Sequence, residues 1–159
     1  MTAGARRVAY IVACMLVVPA CERLERPLYH FATLSEAETQ GEVRRGWVPR
    51  IIPAGAEDVT LSYDIDTNET WLRLRLDAIQ FAQLRERLTV SDVTELPRAP
   101  RGGAEWWPSE LLRTSERKAP GVGNWTFADC GSSPGCDAAE LKGRFAMDPV
   151  GGMVFFWRT

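Results

Sequence analysis

Val59-Thr60-Leu61-Ser62-Tyr63-Asp64-Ile65-Asp66-Thr67-Asn68-Glu69-Thr70-Trp71-Leu72-Arg73-Leu74-Arg75-Leu76 decides the fold class. Val59, Leu61, Tyr63 and Ile65 alternate with Thr60, Ser62 and Asp64, and Leu72, Leu74 and Leu76 alternate with Trp71, Arg73 and Arg75. Period two on both sides of a polar break predicts a β-hairpin with one buried face. A turn centred on Thr67-Asn68 pairs Tyr63 with Leu72, Leu61 with Leu74 and Val59 with Leu76, so that apolar residues meet on one face.

The outer face of this hairpin carries the candidate binding surface. Trp71, Arg73 and Arg75 project there together, a combination found at recognition surfaces. Two plainer readings compete: an Asp64–Arg73 pair with Trp71 lying over the arginine stems, or cover by the segment holding Trp106 and Trp107. The run Asp64-Ile65-Asp66-Thr67-Asn68 resembles the start of a calcium loop. Glu69 replaces the glycine needed at its sixth place and Arg75 the acidic residue at its twelfth, so a hairpin turn is the better reading. No metal ligand set and no cofactor is expected.

Downstream, Asp77 followed by Gln80 predicts an N-cap, and Phe81, Leu84 and Leu88 share one helical face. Upstream, Ser35-Glu36-Ala37-Glu38 has the pattern of a capping box, with Leu34 before the cap and Gly46 suited to a left-handed helix end. That helix should lie on the surface and run to about Arg45. Residues from Ser91 to Gly123 are rich in Pro, Gly and Arg and predict an irregular excursion with one short helical turn within Trp106-Trp107-Pro108-Ser109-Glu110-Leu111-Leu112. A second hairpin is expected from Lys142 to Met147 and Met153 to Arg158. Val154-Phe155-Phe156-Trp157 is apolar at every position, as in an inner strand covered on both sides. The fold class is therefore α+β: a mostly antiparallel sheet of two hairpins with two principal helices, packed on one face.

The first twenty residues read as an address. Arg6 and Arg7 precede the apolar run Val8–Val18, and Val18-Pro19-Ala20-Cys21 puts a small residue before a cysteine. That junction resembles the lipobox of bacterial lipoproteins, which implies removal of residues 1–20 and acylation of Cys21. The run is too short to span a bilayer, which takes about 20 residues. An ordinary cleaved signal ending at Ala20 is the alternative. The chain then divides into a leader (1–20), a lipidated cysteine with a tether (21–33) and one globular domain (34–159). Glu22 after the cysteine resembles sorting to an outer membrane, facing the periplasm, in a source that has one. Two cysteines of the domain, Cys130 and Cys136, bracket a Gly-Ser-Pro loop and are expected to form a disulfide outside the reducing cytosol.

Loss of Arg6 and Arg7 with the leader leaves the 19 basic residues of the chain further outnumbered by its 21 acidic ones. This balance argues against a nucleic-acid partner. The lone histidine, His30, falls on the tether, so a Ser or Cys nucleophile lacks an evident base. Asp64, Asp66, Glu69 and Asp77 near one hairpin leave a carboxylate-based hydrolase as a further alternative, but nothing in their spacing distinguishes them from turn and cap residues. No catalytic residue is expected.

Leu34-Ser35-Glu36-Ala37-Glu38, Arg45-Gly46-Trp47-Val48-Pro49, Asp64-Ile65-Asp66-Thr67-Asn68-Glu69-Thr70-Trp71, Trp106-Trp107-Pro108 and Phe155-Phe156-Trp157 resemble stretches of an uncharacterised family of small exported bacterial proteins. The resemblance implies export and carries over no catalytic residue. Together these readings point to a membrane-anchored envelope lipoprotein acting as a non-catalytic binding or assembly module, with the membrane and an envelope protein as partners. The alternative is an exported inhibitor or immunity-type protein acting on a hydrolase.

Overall fold

The computed structural model of the chain describes residues 28–92, 95–100, 103–114, 125–130 and 143–159. The leader, Cys21 and Cys136 lie outside the described residues. Strands β1 (Leu28–Thr33), β2 (Glu57–Asp64), β3 (Glu69–Arg75), β4 (Thr89–Val90), β5 (Thr126–Asp129), β6 (Arg144–Asp148) and β7 (Met153–Arg158) form one open sheet, ordered β1-β2-β3-β7-β6-β5-β4. Every pairing is antiparallel. Helices α1 (Leu34–Thr39) and α2 (Ala78–Arg87) complete the α+β architecture.

Both expected hairpins are present, and β7 lies in the middle of the sheet with five of its six residues buried. Alternation explains why. Val154 and Phe156 join Leu72, Leu74, Phe145 and Met147 on one face, where Leu34, Ala37, Phe81 and Leu84 of the two helices cover them. Phe155 and Trp157 point the other way and join Trp71, Ala146, Leu96, Trp107 and Leu111. Residues 95–100 and 103–114, with one 3-10 turn (Ser109–Leu111), supply that second cover.

The first hairpin differs from its expected register by two residues. Leu61 pairs with Leu72, Tyr63 with Thr70 and Asp64 with Glu69. A shift of two keeps every side chain on its expected face, which is why the alternation does not detect it. The turn sets the register. Asp64 Oδ1 accepts from the Asp66 and Thr67 N–H groups at 3.0 and 3.3 Å, and Asn68 takes a left-handed φ of 59°. This closes a four-residue loop over 65–68 and leaves Ile65 exposed in the turn rather than on the buried face. A bulge between Glu57 and Thr60, with Asp58 at φ 50°, moves the register once more at the far end.

The chain also holds more strands than the two hairpins. Leu28–Thr33 is not tether but the edge strand β1, with Phe31 buried and paired to Val59. Its apolar residues fall on both faces, Leu28 and Ala32 against Tyr29 and Phe31, so no alternation announces a strand; the gain is that β1 satisfies the open backbone edge of β2. Strands β4 and β5 were equally silent, being only two and four residues long.

Helix α1 is capped two residues earlier, and ends sooner, than its pattern implies. Thr33 is the N-cap, accepting from Glu36 N–H, while the Glu36 carboxylate takes Ala32 N–H at 2.9 Å. Gly41, at φ 89°, then ends it with bonds from Gly41 N–H to Glu38 O and from Glu42 N–H to Ala37 O, the Schellman pattern. Gly46, at φ 81°, repeats that pattern one turn later on Val43 and Glu42. Helix α2 matches expectation: Asp77 caps it by accepting from Gln80 N–H at 2.8 Å, and Phe81, Leu84 and Leu88 are buried.

Candidate functional site

The three residues of the expected binding surface separate in the structure. Trp71 is only 2 % exposed, and its indole N–H donates to Arg98 O at 3.0 Å. It is a core residue under residues 95–100 and 103–114 and offers no recognition surface. Arg73 does not meet Asp64; it pairs with Asp58 at 3.0 Å, because the bulge turns that carboxylate toward it. Arg75 is exposed and lies 3.5 Å from Glu57, its cross-strand partner. The covering segment, not the arginine stems, decides the fate of Trp71.

Cover of that face is aromatic. Trp107 stands edge-on to Phe155 and Trp157 at 5.3 and 6.3 Å between centroids, and donates its indole N–H to Leu111 O. Arg113 N–H bonds to Pro97 O, and the Arg113 guanidinium pairs with Glu95, closing the segment on itself. The described part of the excursion thus lies against the sheet and does not protrude.

A second cluster, which the sequence did not single out, gathers at the end of the sheet where β1 begins. Arg158, 7 % exposed, donates to Asn68 O, Asn68 Oδ1, Gly46 O and Thr70 Oγ1 at 3.0–3.3 Å. Its guanidinium lies 5.5 Å from the Trp47 ring centre, and Trp47 stacks flat on Tyr63 at 4.2 Å. The planar fork of arginine fits this role because several donors leave it in fixed directions. One side chain therefore ties the Arg45-Gly46-Trp47 stretch, the Asn68 turn and the C-terminal strand together. The only sequence signal was Arg158 following an apolar strand, which reads as an ordinary exposed end.

Next to it lies a buried carboxylate. Glu42 is 2 % exposed; Oε1 accepts from Arg45 at 2.6 Å, while Oε2 has no hydrogen-bond partner. Burial holds the Tyr63 phenol well above the ordinary tyrosine range, reinforced by its bond to the Tyr29 hydroxyl at 3.4 Å and by the Glu42 charge. A phenol kept protonated beside a carboxylate is a poor nucleophile and a good structural donor.

Among the described residues no group of three His, Cys, Asp or Glu side chains is placed to hold a metal ion. Asp64 is occupied as a turn residue, as its place in the hairpin implied. His30 contacts Thr60 Oγ1 at 3.1 Å. Cys130 is fully buried at the end of β5; its expected partner Cys136 is outside the described residues. No helix of the described residues is long and apolar enough to cross a membrane. One groove, about 380 Å³, runs between α1 and the following loop, lined by Leu34, Glu38, Val43, Arg44, Pro49 and Ile52 among others. It combines an apolar floor with charges of both signs and no nucleophile–base pair, an arrangement suited to binding.

Residues 25–75 match the YbbD head domain. The match covers β1, α1, β2 and β3, about a third of the chain. It includes the residues that Arg158 ties together from outside the matched stretch, and both halves of the first hairpin. No curated protein and no solved structure matches the chain. The YbbD head similarity thus falls on scaffold: Gly46, Trp47, Asp64, Asn68 and Trp71 each have a packing or hydrogen-bonding role described above.

Proposed function

We propose that the chain is a lipid-anchored protein of the bacterial cell envelope whose folded part is a non-catalytic binding or assembly module. The observation that carries this reading is the junction at Cys21, where an apolar leader with two arginines ends in Val18-Pro19-Ala20-Cys21 and a folded strand begins only seven residues on, at Leu28. Likeness to small exported bacterial proteins supports the address, and Glu22 favours an outer membrane facing the periplasm. Support for the module comes from the motif-like residues: Trp71, Trp107 and Asp64 hold strands and turns, and the charged groove beside α1 is a described surface that a protein partner could fill. An inhibitor that plugs an active site would present the stretch between Ser91 and Gly123 as a protruding loop, whereas its described part packs on the sheet.

Replacing Cys21 by Ser tests the address. The variant should move from the membrane to the soluble fraction with its leader uncut, while the native protein carries acyl chains on Cys21. A Cys21→Ser protein that stays with the membrane, or a native protein with an unmodified sulfur, contradicts the proposal.

A further inference from the structure

We infer that the end of the sheet formed by Leu28 and the 65–68 turn rests on the phospholipid surface, with Leu28 and Ile65 entering the interface. The inference rests on the proposed acylation of Cys21 and adds an orientation to it. Its first support is reach. Seven residue steps separate Cys21 from Leu28. Whatever conformation they adopt, they span at most about 25 Å.

Register then says what lies near that point. Leu28 pairs with Ser62, three residues before Ile65, so both sit toward the same end of the sheet. Leu28 is 46 % and Ile65 57 % exposed, so both apolar side chains are open to an outside surface. The other end carries Val150 in the β6–β7 turn and Ile79 on α2, both exposed as well. Exposure alone does not choose between the ends. Length favours one: Leu28 is level with Ser62, two residues from the Asp64 end of β2 and five from its Glu57 end, about 7 and 17 Å at about 3.3 Å per residue. Seating the Val150 end on the bilayer would use most of the tether, whereas seating the Leu28 end leaves it slack.

Charge makes the contact apolar rather than electrostatic. Arg45 is exposed at this end, but so are Asp66 and, in part, Glu69. No basic cluster of the kind that draws anionic lipid is present among these described residues. Insertion should therefore be insensitive to the anionic fraction of the membrane.

The test uses full-length acylated protein in phosphatidylethanolamine–phosphatidylglycerol vesicles, with a benzophenone amino acid replacing either Ile65 or Val150. After irradiation, phospholipid adducts are counted by mass spectrometry, and vesicle sedimentation is read on the same samples. The inference expects both proteins to sediment and adducts to be several-fold more frequent at 65, at low and high phosphatidylglycerol alike. Sedimentation with equal adducts, or more at 150, overturns the orientation and leaves the anchoring reading intact. Failure of both proteins to sediment overturns the anchoring reading, and the orientation with it.

Discussion

On one side of the sheet Leu72, Leu74, Val154 and Phe156 meet two helices and the chain between them; on the other, Trp71, Phe155 and Trp157 meet a segment with a single 3-10 turn. The helical cover is held by an apolar stripe, Phe81, Leu84 and Leu88, whose spacing is set by the helix itself. The irregular cover has no such repeat. It is held at points: an indole N–H on Arg98 O, another on Leu111 O, and aromatic edges on Trp107. Two faces of one sheet can thus be equally buried while only one of them announces its partner.

The contrast predicts unequal responses to truncation. Phe156→Ala removes a ring from the centre of the helical face and should cost about 3–5 kcal/mol of global stability in denaturant melts. Trp107→Ala should fall at the low end of that range, because the irregular cover can open locally. Amide exchange separates the two cases: Trp107→Ala should speed exchange at Leu112 and Arg113 while β2 and β3 stay slow, and Phe156→Ala should speed all of them. Uniform loss in both variants would mean that the two covers unfold as one unit.

Arg158→Ala comes next, at about 2 kcal/mol, since hydrogen bonds to a charged group are worth more than neutral ones and its buried acceptors lose their donor. Arg158→Lys should recover only part of this, as a point charge lacks the fork that reaches Asn68, Gly46 and Thr70 together. Full rescue by lysine would show that charge rather than geometry joins these segments.

Legibility of the sequence follows the same division. The hairpins, the Asp77 cap and the central place of Phe155-Phe156-Trp157 follow from periodicities of two and 3.6 and from one cap residue. The two-residue register shift did not, because alternation is blind to even slips and the Asp64 side chain, not the strands, closes the loop. Strand β1 was hidden because its pairing stabilises backbone groups that carry no pattern. The site suffered most. Trp71, Arg73 and Arg75 share a face as expected, but whether that face is a surface depends on residues 95–114, whose cover of it no periodicity encodes.

Smaller effects sharpen the picture at the sheet's two ends. In the folded chain the Tyr63 phenol titrates above its unfolded value of 10.0, so its contribution is complete below that pH and is lost as pH rises toward the folded value. Stability should therefore decline in alkali, and Tyr63→Phe should flatten that decline; phenolate absorbance should show one tyrosine ionising late. Arg75→Ala should change stability by no more than about 0.5 kcal/mol, as an exposed pair at this separation contributes little.

Covering of both faces is the claim on which the rest depends, and oxidative footprinting of the six tryptophans, read residue by residue, tests it most directly. Trp71, Trp107 and Trp157 should be protected together in the native protein, while the half-buried Trp47, Trp106 and Trp125 react in part, and all six should react alike only on unfolding. Native reactivity of Trp71 close to that of the unfolded chain would contradict the account and return the outer face of the first hairpin to the list of binding surfaces.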